Sequence, residues 1–576
     1  MITLGVHDGH TATACLTEDG QVIACISEER LNRIKEWNGF PELAIRKCLE
    51  TAGKTPQDVA AIGVCSHMPQ IGEEYYLKPN RYKRAFSYLV KVLPRSVLQS
   101  PGNVRTAQKI GTIVFRERKR LIRERLSKMG LTAGNVFFFD HHLCHAATSY
   151  YPNWHRAEKT LVITLDGSGD AVCATVNIGA NGKLERLAEV FNYNSICDFY
   201  TRVTQFLGMK PMSHEYKVMG MAPYASDRER RKIVEIFRSY FHISPKNPLL
   251  FVNNTRLYKW QFMKEFNKSI LGKRFDWIAG GAQDFFEEIG LEWVKNALQK
   301  TGIGDVALSG GGFMNVKLNY LISKLPQVKS LFIFPSCGDE SNPIGASFLA
   351  ALQMGYPADR IPPLGMVYWG PSFSSQQIES AIGGRLAASG FKISERRDVS
   401  DVLCQRLLEG KIIGRFTGRM EWGARALGNR SILADPRNQK IIHKINKAIK
   451  MRDFWMPFAP SILKEYRDTY LDLREDFRSP FMTIACDTKP RAWEDIPAGL
   501  HPFDKSSRAQ IVDAENHPRY YELIKKFEAK AGVGGVLNTS FNLHGDPIVC
   551  SPEDAIDTFL KSELDVLQLE NYIIEK

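Results

Sequence analysis

Two stretches of this 576-residue chain carry residue types that can hold a metal ion. The first, Val136-Phe-Phe-Phe-Asp140-His141-His142-Leu143-Cys144-His145, is an apolar run ending in an acid and three histidines. The run reads as a buried strand, and Asp140 as the N-cap of a helix. On that helix His141 and His145, four residues apart, share one face and can ligate one cation, while His142 points elsewhere. The second, Thr160-Leu-Val-Ile-Thr-Leu-Asp166-Gly-Ser-Gly-Asp170, reads as a strand ending in an acid and a glycine-rich turn. A carboxylate at a strand end is a natural oxygen ligand. Asp339, after the apolar run 330–334, is expected to close a strand in the same way. Two imidazoles and two carboxylates suit iron, manganese or zinc better than magnesium.

Other segments offer contacts for anions. Asp305-Val-Ala-Leu-Ser309-Gly310-Gly311-Gly312-Phe313-Met314-Asn315 reads as strand, glycine turn, helix, which lets backbone approach a ligand. The opening turn His7-Asp8-Gly9-His10-Thr11 sits where open α/β sheets bind ligands. Arg33 and Lys35 follow the Glu28-Glu29-Arg30 cluster as candidate phosphate cations. The run 213–224, with His214, Glu215, Lys217 and Gly220, reads as a functional loop. Arg419, Arg425 and Arg430 crowd a glycine-rich stretch, and arginine forks suit phosphate and carboxylate.

These residues must be positioned by several layers of structure. A chain of 576 residues exceeds one compact core and suits two to four domains. The first 30 residues read as three successive strands, residues 41–64 as helix then strand, and 276–301 as a long amphipathic helix. The Pro/Gly-rich stretch 356–372 reads as a linker, and strand and helix patterns alternate beyond it. Eleven scattered cysteines without a C-x-x-C argue for reduced thiols in a cytoplasm-like compartment. No apolar run approaches the ~18 residues of a membrane span, and the N-terminus lacks a signal-peptide pattern. The net charge of +13 is concentrated between Arg81 and Lys128, where fourteen Lys and Arg face two glutamates. This segment reads as the solvated face of a helix, with an electropositive rim as the functional alternative. Its aromatics form no stacking pattern for nucleic acid.

Taken together, the motifs resemble the NodU/CmcH-type O-carbamoyltransferase family. They are G-H-T-A at residues 9–12, E-E-R at 28–30, H-H-x-x-H, L-D-G-x-G-D, E-Y-K-V-M-G-x-A-P-Y, S-G-G-G, G-D-E-S, R-A-L-G-N-R-S, P-F-A-P and N-T-S-F-N at 538–542. The resemblance implies an α/β architecture: an actin/hexokinase-like domain of two ribonuclease-H-like halves over residues 1–355, the linker 356–372, and a YrdC-like domain over 373–576. It implies that carbamoyl phosphate yields carbamate in the second domain. Carbamate would then attack ATP, with magnesium as its companion ion, to give carbamoyl-adenylate, and a hydroxyl of a small natural product would accept the carbamoyl group. By the same resemblance His141, His145, Asp166 and Asp339 match ligands of Fe(II) or a similar ion, and His10 matches the base for the acceptor hydroxyl. Gly310, Gly311 and Asn315 match the adenosine turn, and Lys35 and Lys217 match phosphate contacts. Arg425, Lys450, Arg508, Asn538 and Ser540 match the carbamoyl-phosphate pocket. One departure stands out: the family's usual arginine before P-F-A-P is Met456, with Arg452 as the candidate replacement. A homodimer is compatible with this reading. The alternative is a tRNA threonylcarbamoyladenosine-type RNA-modification protein using the basic segment as its RNA surface. L-D-G-x-G-D and R-A-L-G-N-R-S favour the carbamoyltransferase.

Overall fold

The computed structural model describes residues 1–68, 116–131, 134–387, 390–450, 453–475 and 477–576. The chain divides into two units: residues 1–25 with 37–364, and residues 26–36 with 365–576. Most of the basic segment therefore lies outside the described residues. Its described end, 116–128, is helical.

The first unit is built on two five-stranded sheets. β1 (Ile2–His7), β2 (Thr13–Glu18) and β3 (Gln21–Ser27) form an antiparallel meander, and β4 (Val59–Cys65) and β5 (Val136–Phe139) add in parallel on the other side of β1. The order is β3-β2-β1-β4-β5. The second sheet repeats it. β6 (Lys159–Gly169), β7 (Val172–Ala180) and β8 (Lys183–Phe191) form the meander, and β9 (Asp305–Ser309) and β10 (Ser330–Ile333) add in parallel, giving β10-β9-β6-β7-β8. The central strand β1 is buried along its whole length, as a strand covered on both faces must be. The edge strand β8 alternates exposed and half-buried residues over its first half.

Helices fix the ends of these sheets. α1 (Arg116–Lys128) turns Arg118, Ile122 and Leu126 inward at helical spacing. α2 (His141–Tyr150) starts after β5, capped by Asp140, whose side chain accepts from Leu143 N at 2.8 Å. α3 (Glu215–Met221) occupies the run expected as a loop. α4 (Phe275–Thr301) is the long helix, α5 (Val316–Ser323) follows the glycine turn, and α6 (Asn342–Gln353) follows Asp339. α6 lies on the first sheet at very short range, because a Cβ on Gly5 would stand 1.7 Å from Pro343 O and one on Gly63 2.1 Å from Ala346 O. Only glycine admits backbone that close.

The second unit holds one eight-stranded mixed sheet. Its strands are β11 (Lys392–Glu395), β12 (Ile413–Phe416), β13 (Arg430–Ala434), β14 (Ala459–Leu463), β15 (Gln510–Val512), β16 (Gly535–Ser540), β17 (Val566–Leu569) and β18 (Tyr572–Glu575). They run in the order β11-β18-β17-β12-β13-β16-β14-β15. The excursion 26–36 is fastened into this unit. Arg33 donates to Ile548 O at 2.8 Å and Pro547 O at 2.9 Å, Arg30 donates to Gly423 O at 3.0 Å, and Leu31 packs on Met420, Ile548 and Cys550.

Candidate active site

In the first unit, the pitch of α2 brings His141 and His145 to one side, both fully buried, with ring centroids 4.8 Å apart. Asp166 lies within β6, which continues to Gly169 through an irregular register, so the acid sits in a bulged strand rather than at its end. Asp339 opens a short 3₁₀ turn, Asp339–Ser341, beyond β10 and before α6, instead of closing the strand. His141 Nε2 stands 3.2 Å from Asp339 Oδ1 and 3.5 Å from Asp166 Oδ2, and His145 Nε2 stands 3.4 Å from Asp339 Oδ1. One ligand atom from each of the four residues falls within 4.8 Å of all the others.

The electrostatics of this cluster describe a cation hole. Burial acts against charge on His141, but the Asp339 and Asp166 carboxylates outweigh it and raise the imidazole well above its ordinary pKa. Burial likewise raises Asp339, and the two imidazoles outweigh it and hold the carboxyl well below the usual range. Asp339 Oδ1 is buried without a hydrogen-bond donor among the described residues. Two nitrogen and two oxygen donors fit a divalent transition ion. The remaining ring atoms fit too. His145 Nδ1 meets Ser309 Oγ at 3.4 Å and its Nε2 also meets Asn342 Nδ2 at 3.2 Å, while His141 Nδ1 meets Ser66 Oγ at 3.0 Å; with both Nδ1–H groups donated to hydroxyls, the Nε2 atoms are turned toward the carboxylates. His142 points away. Its Nε2–H donates to Val172 O at 3.1 Å and its Nδ1 accepts from Thr164 Oγ1 at 2.7 Å. Burial and the two neighbouring imidazoles push its pKa down to about 3.

The glycine turn abuts this cluster. Gly310 has φ +99, and a Cβ there would lie 2.3 Å from Leu165 O. Gly311 N donates to Asp166 Oδ1 at 3.0 Å, leaving Oδ2 toward His141. Asn315 caps α5, accepting from Leu318 N at 3.1 Å, and its amide donates to Gln283 Oε1 of α4 at 3.1 Å. His10 is half-buried on the β1–β2 turn. Its carbonyl accepts from His7 Nε2 at 3.0 Å and from Thr11 Oγ1 at 2.6 Å. Lys217 is half-buried on α3, where its N–H donates to His214 O. Lys35 is exposed in the excursion 26–36 and counts with the second unit.

In the second unit, buried polar contacts involve three of the five pocket residues, Asn538, Lys450 and Ser540. Asn538 on β16 donates from Nδ2 to Ala426 O at 3.1 Å, Ser461 Oγ at 2.9 Å and Gln510 Oε1 at 3.2 Å. It thereby fixes the loop that carries Arg425 and the strand two residues beyond Arg508. Its Oδ1 is buried without a hydrogen-bond donor among the described residues. Lys450 Nζ is surrounded by the carbonyl oxygens of Ser540 and Asn542, Ser540 Oγ and Asn542 Oδ1, so it braces the turn after β16. Met456 is buried, and Arg452 lies outside the described residues.

The structure also shows polar residues that sequence reasoning passed over. Glu421 is 1% exposed, and its Oε1 accepts from Leu427, Asn429 and Arg430 N–H groups, holding the Arg425 loop. Arg118 binds both Asp8 oxygens and the carbonyls of Cys65 and Ser66. Asp170 accepts from the N–H groups of His67, Met68 and His141. The i, i+4 pattern Arg118-Ile122-Leu126 was the one sequence signal for Arg118. Nothing in the sequence singles out Ser66.

Comparison fixes the class as carbamoyltransferase. Residues 2–348 match the model of the carbamoyltransferase N-terminus and residues 404–576 that of the carbamoyltransferase C-terminus. The chain belongs to this NodU/CmcH-type carbamoyltransferase family. It is 32% identical to nodulation protein NolNO of Sinorhizobium fredii, over 99% of this chain and 79% of that protein. It is 30% identical to the 3'-hydroxymethylcephem-O-carbamoyltransferase of Amycolatopsis lactamdurans, over 43% of this chain and 44% of that one. Full-length HypF in its phosphate- and nucleotide-bound form aligns with a TM-score of 0.32 at 13% identity, over 61% of this chain and 55% of HypF. Among the described residues no helix is long and apolar enough to cross a membrane.

Proposed function

We propose that the chain is an ATP-dependent O-carbamoyltransferase that moves a carbamoyl group from carbamoyl phosphate, through carbamoyl-adenylate, to a hydroxyl of a small molecule. The observation that carries this reading is the convergence of His141, His145, Asp166 and Asp339 beside the Gly310–Gly311 turn, in a chain matched by both carbamoyltransferase models. The repeated strand order of the first unit supports an actin/hexokinase-like nucleotide fold, and the mixed sheet of the second unit supports a YrdC-like domain.

In the second unit, Arg425 and Arg508 supply cations for the donor's phosphate. Asn538 Oδ1 accepts from the carbamoyl amide, and Lys450 and Ser540 hold the turn beside it. Water releases phosphate and leaves carbamate. In the first unit, the Gly310–Gly311 turn lets ATP approach the backbone, Asn315 holds the adenosine side, and Lys217 neutralises phosphate oxygens. A carbamate oxygen forms a bond to the α-phosphorus and pyrophosphate leaves. The acceptor hydroxyl then attacks the carbamoyl carbon, its proton passes to the His10 imidazole, and the bond to AMP breaks. His141, His145, Asp166 and Asp339 would hold a divalent ion, which would supply positive charge against phosphate oxygens.

The test is pyrophosphate release from ATP in metal-loaded protein without acceptor, with and without carbamoyl phosphate. Release that requires carbamoyl phosphate is expected. Release independent of it, or release of the γ-phosphate, would sink the adenylate route.

A further inference from the structure

We propose that Ser66 orients the metal ligand His141, and that Arg118 and Asp170 are positioning residues that clamp Ser66 in the conformation this requires. The inference rests on the metal-binding part of the reading above. Ser66, the first residue beyond β4, has φ +70, a left-handed conformation that a residue with a Cβ adopts at a cost. Such strain persists only where surrounding contacts impose it, and here they come from both sides. Arg118 Nη1 donates to Ser66 O at 2.6 Å and Nη2 to Cys65 O at 3.1 Å, so one guanidinium fixes the two carbonyls at the bend. The same guanidinium is ion-paired with Asp8 at the end of β1. On the far side of the bend, Asp170 accepts from His67 N and Met68 N. Its Oδ2 also accepts from His141 N at 3.0 Å, which ties the bend to the first residue of α2.

The product of this clamp is the nearer of two contacts to His141 Nδ1: Ser66 Oγ at 3.0 Å, with Cys65 Sγ at 3.9 Å. With Ser66 as acceptor, Nδ1 keeps its hydrogen and Nε2 presents its lone pair to the site. The donor geometry also fixes ring rotation, which the i, i+4 placement on α2 leaves free. Arg118 is 1% exposed although it sits in the densest cationic stretch of the chain, so it serves the interior while its neighbours Arg120 and Arg123 do not.

Co(II) binding to metal-free protein tests this, read by chelator competition, by the visible Co(II) band, and by the thermal midpoint of the metal-free form. Ser66→Gly is the informative variant, because glycine takes φ +70 without strain. The expected result is Co(II) binding about 10- to 100-fold weaker with an altered band, while the metal-free midpoint stays level or rises. Ser66→Ala should lose the same affinity, since the missing group is the hydroxyl. Arg118→Lys should weaken binding in the wild-type background and add nothing in the Ser66→Gly background. Unchanged affinity and band in Ser66→Gly, full affinity in Ser66→Ala, or additive losses in the double variant would each overturn the proposal. Wild-type protein that takes up no Co(II) would overturn the metal reading itself, an outcome distinct from these.

Discussion

The chain around the first five-stranded sheet and the chain around the second contribute different atoms to the cluster. The helix after β5, in the first half, brings nitrogen from His141 and His145. The second half brings oxygen, from Asp166 within β6 and Asp339 after β10. In both halves the strand next to the central one leads to a serine that meets an imidazole of the cluster. Ser66 beyond β4 meets His141, and Ser309 at the end of β9 meets His145. The execution differs. Ser309 sits in regular strand, whereas Ser66 is held in a left-handed bend by Arg118 and Asp170. A duplicated framework thus carries different donors and different supports in its two halves.

The sharpest way to break this comparison is to remove a ligand from each half. His145→Ala and Asp339→Ala should each weaken Co(II) binding by more than the roughly 10- to 100-fold typical of losing an orienting group. His142→Ala should retain stoichiometric metal. Elemental analysis after dialysis reads the result. Retained metal in either ligand variant would remove that half from the cation hole.

Next in size is the support that only the first half has. Asp8 and Arg118 are 2% and 1% exposed, and removing one partner of such a pair costs about 3–5 kcal/mol because a buried charge is left behind. Arg118 keeps its two carbonyl acceptors, so Asp8→Ala should fall near the lower end, about 3 kcal/mol in a urea titration of the metal-free protein. An effect below about 1 kcal/mol, the level of exposed pairs, would mean that the bend is held without the ion pair.

The sequence exposes the four cluster residues more clearly than their supports. Spacing of four on a helix and acids beside apolar strands are local patterns, and they suffice to nominate His141, His145, Asp166 and Asp339. Ser66 needs tertiary information, since its backbone conformation is imposed by Arg118 and Asp170, both far along the chain. Arg118 is hidden in a run of cations whose average behaviour is to face water. Its distinguishing mark is the apolar spacing shared with Ile122 and Leu126. Asp166 and Asp339 are found at a bulge and a 3₁₀ turn because a strand's end cannot be read to within a few residues from apolar runs alone. The repeated strand order leaves no trace as a sequence repeat, because the ladder depends on alternation and burial rather than on particular side chains. The second unit's contacts were legible at Asn538, Ser540 and Lys450, through the resemblance, and not at the residues that hold them. Gln510, Ser461 and Glu421 look like ordinary polar residues until the fold closes water out around them.

The smallest expected effect separates the two sheets by their response to pH. Each sheet carries a threonine pair between its first two strands, capped by a helix residue. Thr3 and Thr17 meet at 2.6 Å with Ser347 of α6, and Thr164 and Thr175 meet at 2.6 Å with His142 of α2. The first trio contains only hydroxyls and does not titrate. The second contains an imidazole held neutral, with its pKa depressed to about 3 by burial and its histidine neighbours. The unfolded chain binds a proton at this position below about pH 6.5, while the folded protein does not until about pH 3. The unfolded state therefore holds more protons across that window, and stability contributed here is present at neutral pH and is lost as the pH falls. Between pH 7 and pH 5 the loss is about 2 kcal/mol, from about 1.36 kcal/mol per pH unit once the group titrates. Urea titrations of metal-free protein at both pH values, in wild type and His142→Gln, should show a slope shallower by that amount in the variant. Ser347→Ala should lower stability by about 1 kcal/mol equally at both. A slope unchanged by His142→Gln would show that the second trio tolerates a charged imidazole, and the contrast between the sheets would then lie in their ligands alone.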